Sequence, residues 1–345
     1  MANVALKFFR SARKAAIASG LVAALLVIRH TAAAAEHVKV GLLPSVGDGA
    51  VYIAKDRGYF AQNGLDVEIV NFDAGQPIAV ATVSGDLDFG AAGITSALYT
   101  LCGEGAARVI AGFTANRAGF HVSAVIESNQ AYAGGLKSVS ALAGHSLGLT
   151  QIGSTYHYAV SLIAAKNGFD LASMRMLPLQ SMQNVASAVA GGQVDTGVLI
   201  APIALPLVEK GAGRILSWTG DDAPFQVSVV WTSTKTANAQ SDKVNRFLAA
   251  MHRGARDYMA AFLGADGKPK DDATAEAMLT LLAKYSTQTV AQEKLSLSYM
   301  DPDNRLDVRD LQRQIDWFRS QGMLKGNFNV EQVIDRRFVT PLPNQ

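Results

Sequence analysis

The chain has 345 residues, 49% of them hydrophobic and 17% charged, with 31 basic against 29 acidic side chains. That length and apolar content suit about two domains with cores of their own and exclude a disordered or fibrous chain. The single cysteine, Cys102, excludes an internal disulfide framework.

The first 35 residues differ from the rest. Lys7, Arg10, Arg13 and Lys14 precede an apolar run at 15–28, and Ala33-x-Ala35 follows it. That order predicts a secretory signal peptide cut after Ala35, since the run falls short of the ~20 apolar residues that a membrane span needs. The segment carries five basic residues and no acid, which leaves 26 basic against 29 acidic in the mature chain. No cluster of Lys and Arg replaces that excess, so no nucleic-acid partner is expected. With no cysteine at the cleavage site for a lipid anchor, the mature protein is expected free in the periplasm. Cys102 itself sits in an apolar helical run and reads as an inert buried thiol.

From Val38 onward, short apolar runs alternate with helical stretches, and the pattern occurs twice, the second copy 107 positions on, as Gly41 is to Gly148. Strands are predicted at 38–43, at 66–71 and after Gly85, and again at 146–150, 174–179 and after Gly192. The helices opening at Gln76-Pro77-Ile78-Ala79-Val80-Ala81 and Gln183-Asn184-Val185-Ala186-Ser187-Ala188 each stop at one of those glycines. Both copies then read Gly-x-aliphatic-Asp-x-Gly, at 85–90 and 192–197, a helix-to-strand junction in which glycine takes the left-handed cap. Alternating strands and helices with short connections imply an α/β protein of two lobes, each a mainly parallel sheet covered by helices.

Ligands of such sheets sit beyond the carboxyl ends of the strands. The loops there hold Ser45, Asp48 and Gln76, then Gly93, Thr95 and Ser96 in the first copy. In the second they hold Gly153, Ser154, Thr155, Tyr156 and His157, then Gln183 and Pro202. Hydroxyls at helix starts either meet an anion or only cap their own helices. Tyr156, His157, His121, Tyr52 and Phe120 are candidates for an aromatic wall or for ordinary core and rim. Asp48 and Asp73 are the acids of these loops; Asp48 favours a cationic or hydrogen-bond-donating ligand unless it points outward. No metal site or cofactor is expected.

Three stretches resemble the NMT1/THI5-like and sulfonate/taurine/nitrate (SsuA/TauA-like) group of periplasmic binding proteins. They are AKDRGYFAQNGLDV at 54–67, SGDLDFGAAGITSAL at 84–98, and the span 142–210 that closes with GGQVDTGVLIAPIALPLVEK. The resemblance implies a two-lobed periplasmic binding protein fold of type II, whose lobes close on a small molecule through a two-strand hinge. Crossings are expected at 127–137 and 227–235. Lobe 1 would comprise 36–130 and 231–345, with helices from Ser241 on covering it and Asp316, Trp317 and Phe318 packing inward; lobe 2 would comprise 131–230.

The expected function is the extracytoplasmic substrate-binding subunit of an ABC importer, a monomer that docks on an inner-membrane permease when closed. The ligand is expected to be a small organic anion, sulfonate or carboxylate, with a neutral heteroaromatic such as a pyrimidine thiamine precursor as the alternative. A sensory adaptor for a receptor kinase has the same sequence signature. An enzyme like the pyrimidine synthases of this group is not expected, because their cysteine-rich motif and reactive histidine have no counterpart.

Overall fold

Strand alternation starts where the computed structural model does: it describes residues 34–286 and 288–344. The signal-peptide reading of the first 35 residues falls, but for its last two positions, outside the described residues. β1 (Glu36–Leu42) buries Val38, Val40 and Leu42 on one face and leads to α1 (Gly49–Asp56). β2 (Leu65–Asn71), α2 (Gly75–Ser84), β3 (Phe89–Gly93), α3 (Ser96–Gly103) and β4 (Ala107–Gly112) follow.

The second series runs β5 (Ser123–Glu127), β6 (Ser146–Leu149), α4 (Thr155–Asn167), β7 (Arg175–Pro178) and α5 (Met182–Ala190). It continues with β8 (Thr196–Ile200), α6 (Ala201–Glu209) and β9 (Arg214–Trp218). β10 (Ser228–Ser233) returns to the first sheet, and the helices α7 (Ser241–Phe262), α8 (Val290–Leu295) and α9 (Val308–Ser320) are among those that follow on the path to the C-terminus.

The two five-stranded sheets have the same order, β2-β1-β3-β10-β4 and β7-β6-β8-β5-β9. In each, the first three strands are parallel and the fourth runs antiparallel to both of its neighbours. The repeat holds residue by residue. Lys39 pairs with Glu68 and Ser146 with Arg175; Val40 pairs with Phe89 and Leu147 with Thr196. The Asp of the repeated motif does the same work twice, accepting the Lys39 N–H at Asp88 (2.9 Å) and the Ser146 N–H at Asp195 (2.8 Å). Side chains packed against each first strand leave little room for more than glycine at 41 and 148. A Cβ on Gly41 would lie 2.6 Å from Leu87, and one on Gly148 would lie 3.1 Å from Leu179 and 3.3 Å from Val194.

The fourth strand of each sheet is exchanged between the halves, which corrects the expected crossings. β5 pairs with β8, and β10 pairs with β3, so the chain passes between the sheets at 113–122 and 219–227. Residues 123–127, expected in lobe 1, thus lie in the second sheet, and 228–230 lie in the first. Both are apolar strands that fit either sheet equally well by composition; only pairing assigns them.

The crossing segments are tied to each other and to α9. Val227 N–H and Gln226 Nε2 both donate to Thr114 O (3.0 Å each), and the Asp310 carboxylate accepts the Gln226 N–H (2.8 Å). Helix α7 covers the first sheet with an apolar stripe; its Phe247 stacks on Phe89 (4.1 Å) and Phe60 (5.2 Å). Burying such a ring contributes roughly 1.5–3 kcal/mol. In α9, Phe318 packs inward as expected, Trp317 is half-buried, and Asp316 faces solvent because it pairs with Arg319 (3.2 Å).

Candidate functional site

The carboxyl ends of both parallel strand sets enclose a cavity of about 70 Å³ between the sheets. The first half contributes Leu43, Ser45, Gly47 and Asp48 after β1, Ala74 and Gly75 after β2, and Ala92, Gly93 and Thr95 at β3. From the second come Thr150, Gln151, Ser154, Thr155 and Tyr156 after β6, with Met182 and Ile200. The crossing segments and the strand that follows supply Phe113, Thr114, Val122, Val227 and Ser228, the Thr114 and Ser228 hydroxyls being 2.5 Å apart. A groove past Gln76, Val80 and Gln180 shares Ala74, Thr150 and Gln151 with the cavity and forms its mouth.

The two edges touch. Ser96 N–H donates to Gly153 O (2.9 Å) and Thr155 Oγ1 donates to Ile94 O (2.7 Å). Both contacts depend on glycine. A Cβ on Gly93 would stand 2.4 Å from Thr155 Oγ1, and one on Gly153, whose φ is +81°, would stand 2.2 Å from Ser96 Oγ. The structure is therefore a closed arrangement, zipped at the rim by one backbone pair and one side-chain hydroxyl.

Several predicted hydroxyls are occupied by their own helices. Thr95 Oγ1 accepts the Leu98 N–H (3.2 Å) to cap α3, and Ser154 Oγ accepts the His157 N–H (3.3 Å) to cap α4. The capping alternative is what the structure displays for both, although both also line the cavity. Ser96 and Gly153 act at the rim. Gln76 lies exposed at the mouth, while Gln183 and Pro202 border an outer groove between α5 and α6, away from the cavity.

Of the five aromatic candidates, only Tyr156 lines the cavity; burial pushes its phenol up to about 12. His121 stacks on Trp218 (4.3 Å), and half-burial lowers its pKa. His157 Nδ1 accepts the Gly153 N–H (3.2 Å) and its ring meets Trp317 of α9 edge-on (5.2 Å). Burial there pulls the imidazole down to about 4. Tyr52 stacks on Tyr285 behind the first loop and Phe120 packs on Tyr299, both as core.

Asp48 is the acid of the lining; Asp73 is exposed and outside it. It is 4% exposed, and its Oδ2 accepts the Ser45 hydroxyl (3.1 Å). Burial pushes its carboxyl well above the ordinary range, against the opposing hydrogen bonds from Ser45. Among the described residues, no Lys or Arg lines the cavity. Sequence reasoning missed the crossing residues Phe113, Thr114 and Val122 because it placed the first crossing beyond them, and missed Leu43, Met182 and Ile200 because apolar loop residues carry no polar signal.

Among the described residues, no cluster of three His, Cys, Asp or Glu is placed to hold a metal, and no helix is long and apolar enough to cross a membrane. Cys102 is buried, which pushes its thiol up to about 12.

A Brucella suis protein described only as a binding protein is 24% identical over 265 residues, 76% of this chain and 77% of its own. The alkanesulfonate-binding protein SsuA from Xanthomonas axonopodis pv. citri, solved with MOPS, superposes with TM-score 0.66 at 19% identity, covering 89% of this chain and 98% of SsuA. The periplasmic nitrate-binding protein NrtA from Synechocystis PCC 6803 superposes with TM-score 0.68 at 14% identity, covering 88% and 86%. The desulfurization enzyme DSZB shares the fold too, with TM-score 0.56 at 15% identity over 89% and 96%. At these identities the structures establish the fold alone, which serves mostly binding proteins and at least one enzyme. The family model "NMT1/THI5 like" matches residues 48–261, and the chain belongs to the NMT1/THI5-like family, with the two-lobed fold of periplasmic solute-binding proteins.

Proposed function

We propose that the chain is the periplasmic substrate-binding subunit of an ABC importer, exported by a signal peptide cut near Ala35, acting as a monomer, and not an enzyme. The observation that carries this reading is the closed cavity, enclosed by strand-to-helix loops of both halves and zipped by Ser96–Gly153 and Thr155–Ile94. A ligand held there touches both lobes only when they are closed, so it shifts the population toward closure by its differential affinity. Moving the equilibrium from 1:99 to 99:1 takes about 5.5 kcal/mol, within reach of several buried hydrogen bonds. The closed rim is then what a membrane permease would read.

Two features bear on the ligand. The N-termini of α3 and α4 face the cavity and support the small organic anion expected from the sequence. The apolar wall of Leu43, Phe113, Val122, Met182, Ile200 and Val227 supports instead a ligand with an apolar body, the neutral heteroaromatic alternative. A thermal-shift screen of the mature protein against sulfonates, carboxylates, nitrate, amines and pyrimidines tests the reading, paired with small-angle scattering of each hit. Hits should raise Tm and shrink the radius of gyration. Hits that leave the lobes unmoved would refute capture by closure.

A further inference from the structure

We infer that the cleft selects a ligand presenting a cationic or paired N–H donor head to Asp48, and that it rejects isosteric anions. The inference rests on the reading of this cleft as the ligand site and concerns the chemistry that it accepts.

Asp48 comes from the turn after β1, is 4% exposed, and borders the cavity, where its carboxylate accepts the Ser45 hydroxyl. A buried carboxylate is normally matched by Arg, Lys or several N–H donors. The other lining residues are apolar, hydroxyl, amide or glycine, and none is basic. A cation or donor from outside is what would complete the site.

The wall behind Asp48 holds a second buried carboxyl. Glu293 of α8 is fully buried, accepts the Ser286 hydroxyl (2.5 Å), and forms no ion pair among the described residues; burial lifts its carboxyl to about 7. Both carboxyls act electrostatically on the phenol of Tyr52, whose oxygen is buried and unpartnered. Ser298 Oγ, also buried and unpartnered, lies 3.1 Å from where a Cβ of Gly47 would be, directly behind the cavity floor. This side of the cleft thus has two buried acids, neither of them in an ion pair among the described residues. The helix N-termini opposite are capped by Thr95 and Ser154, which blunts their pull on an anion.

The test uses two probe pairs of matched shape and opposite charge, guanidinium with nitrate and acetamidinium with acetate, titrated calorimetrically into the mature protein. The wild type should bind the cation of each pair at least tenfold more tightly than the anion, the scale of a charged hydrogen bond. Asp48→Asn should lose at least tenfold for acetamidinium and narrow or reverse the preference, and Asp48→Glu should keep it. Preference of the wild type for nitrate or acetate, or binding of neither cation, overturns the inference. Gly153→Val separates that failure from failure of the cleft reading. If the variant blocks closure in scattering yet binds probes as the wild type does, the ligand sits elsewhere and the cleft reading falls instead. Should Asp48→Asn not fold, the wild-type preference alone decides the inference.

Discussion

The two halves of the repeat share a frame and differ at their edges. Strand order, register and the Asp88 and Asp195 hydrogen bonds coincide, yet the loops after β1 and β6 have become different instruments. The first, 43–48, carries a buried acid into the cavity, held within its own loop by the Ser45 hydroxyl. Its counterpart, 150–157, supplies the glycine and threonine that grip the opposite edge, and a histidine held by α9. Duplication therefore preserved what pairs strands and freed what meets ligand, because register errors disrupt a whole sheet whereas loop changes are local.

The sharpest way to break this comparison is at the gripping loop. Gly153→Val places a side chain 2.2 Å from Ser96 Oγ on a backbone at φ +81°, and it should weaken binding on the order of a thousandfold, ~4 kcal/mol, with the fold retained. Calorimetry with the best screened ligand, alongside circular dichroism, checks both halves of that statement.

The frame itself predicts a graded pair. Asp195→Ala should cost about 2 kcal/mol for its hydrogen bonds to Ser146 N–H and Oγ. Asp88→Ala should cost more, about 3 kcal/mol, because it also strips a partner from the buried Lys243, leaving only Glu36. Equal urea midpoints for the two variants would deny that the first half carries the heavier duty.

His157 gives the gripping half a pH dependence of its own. In the closed form burial holds its imidazole near 4, under Trp317 and beside Gly153, with Ser161, Asp170 and Gln321 bordering the same groove. Opening restores the ordinary value of about 6.5, so the open form takes up the proton as pH falls and closure loses ground between about 6.5 and 4. Affinity should fall about tenfold from pH 7.5 to 5.5, and His157→Phe should flatten that profile. A wild-type profile already flat would mean that His157 stays covered when the lobes part.

The smallest effect belongs to Thr155→Val, which removes the 2.7 Å bond to Ile94 O across the rim. About 1 kcal/mol, or fivefold in Kd, is expected, with unchanged unfolding by urea.

Much of this was legible beforehand. The 107-residue offset carried the duplicated α/β frame, and the strand-end loops led to Ser45, Asp48, Gly93, Thr95, Ser154, Thr155 and Tyr156, all on the cavity. The same rule pointed to Gln183 and Pro202, which border the outer groove between α5 and α6 while their neighbours Met182 and Ile200 line the cavity. His121 fell away through its stack on Trp218, and both crossings came earlier in the chain than expected through strand exchange. Hydrophobic period, glycine caps and turn residues are local quantities, so the sequence by itself determined the elements, their doubling and the strand-end loops that border the cavity. Which sheet adopts an apolar strand, which hydroxyl is already spent on a cap, and which acid is sealed away from every cation depend on partners far along the chain. Those were decided only by the tertiary structure, where pairing and desolvation act between residues that no local pattern relates.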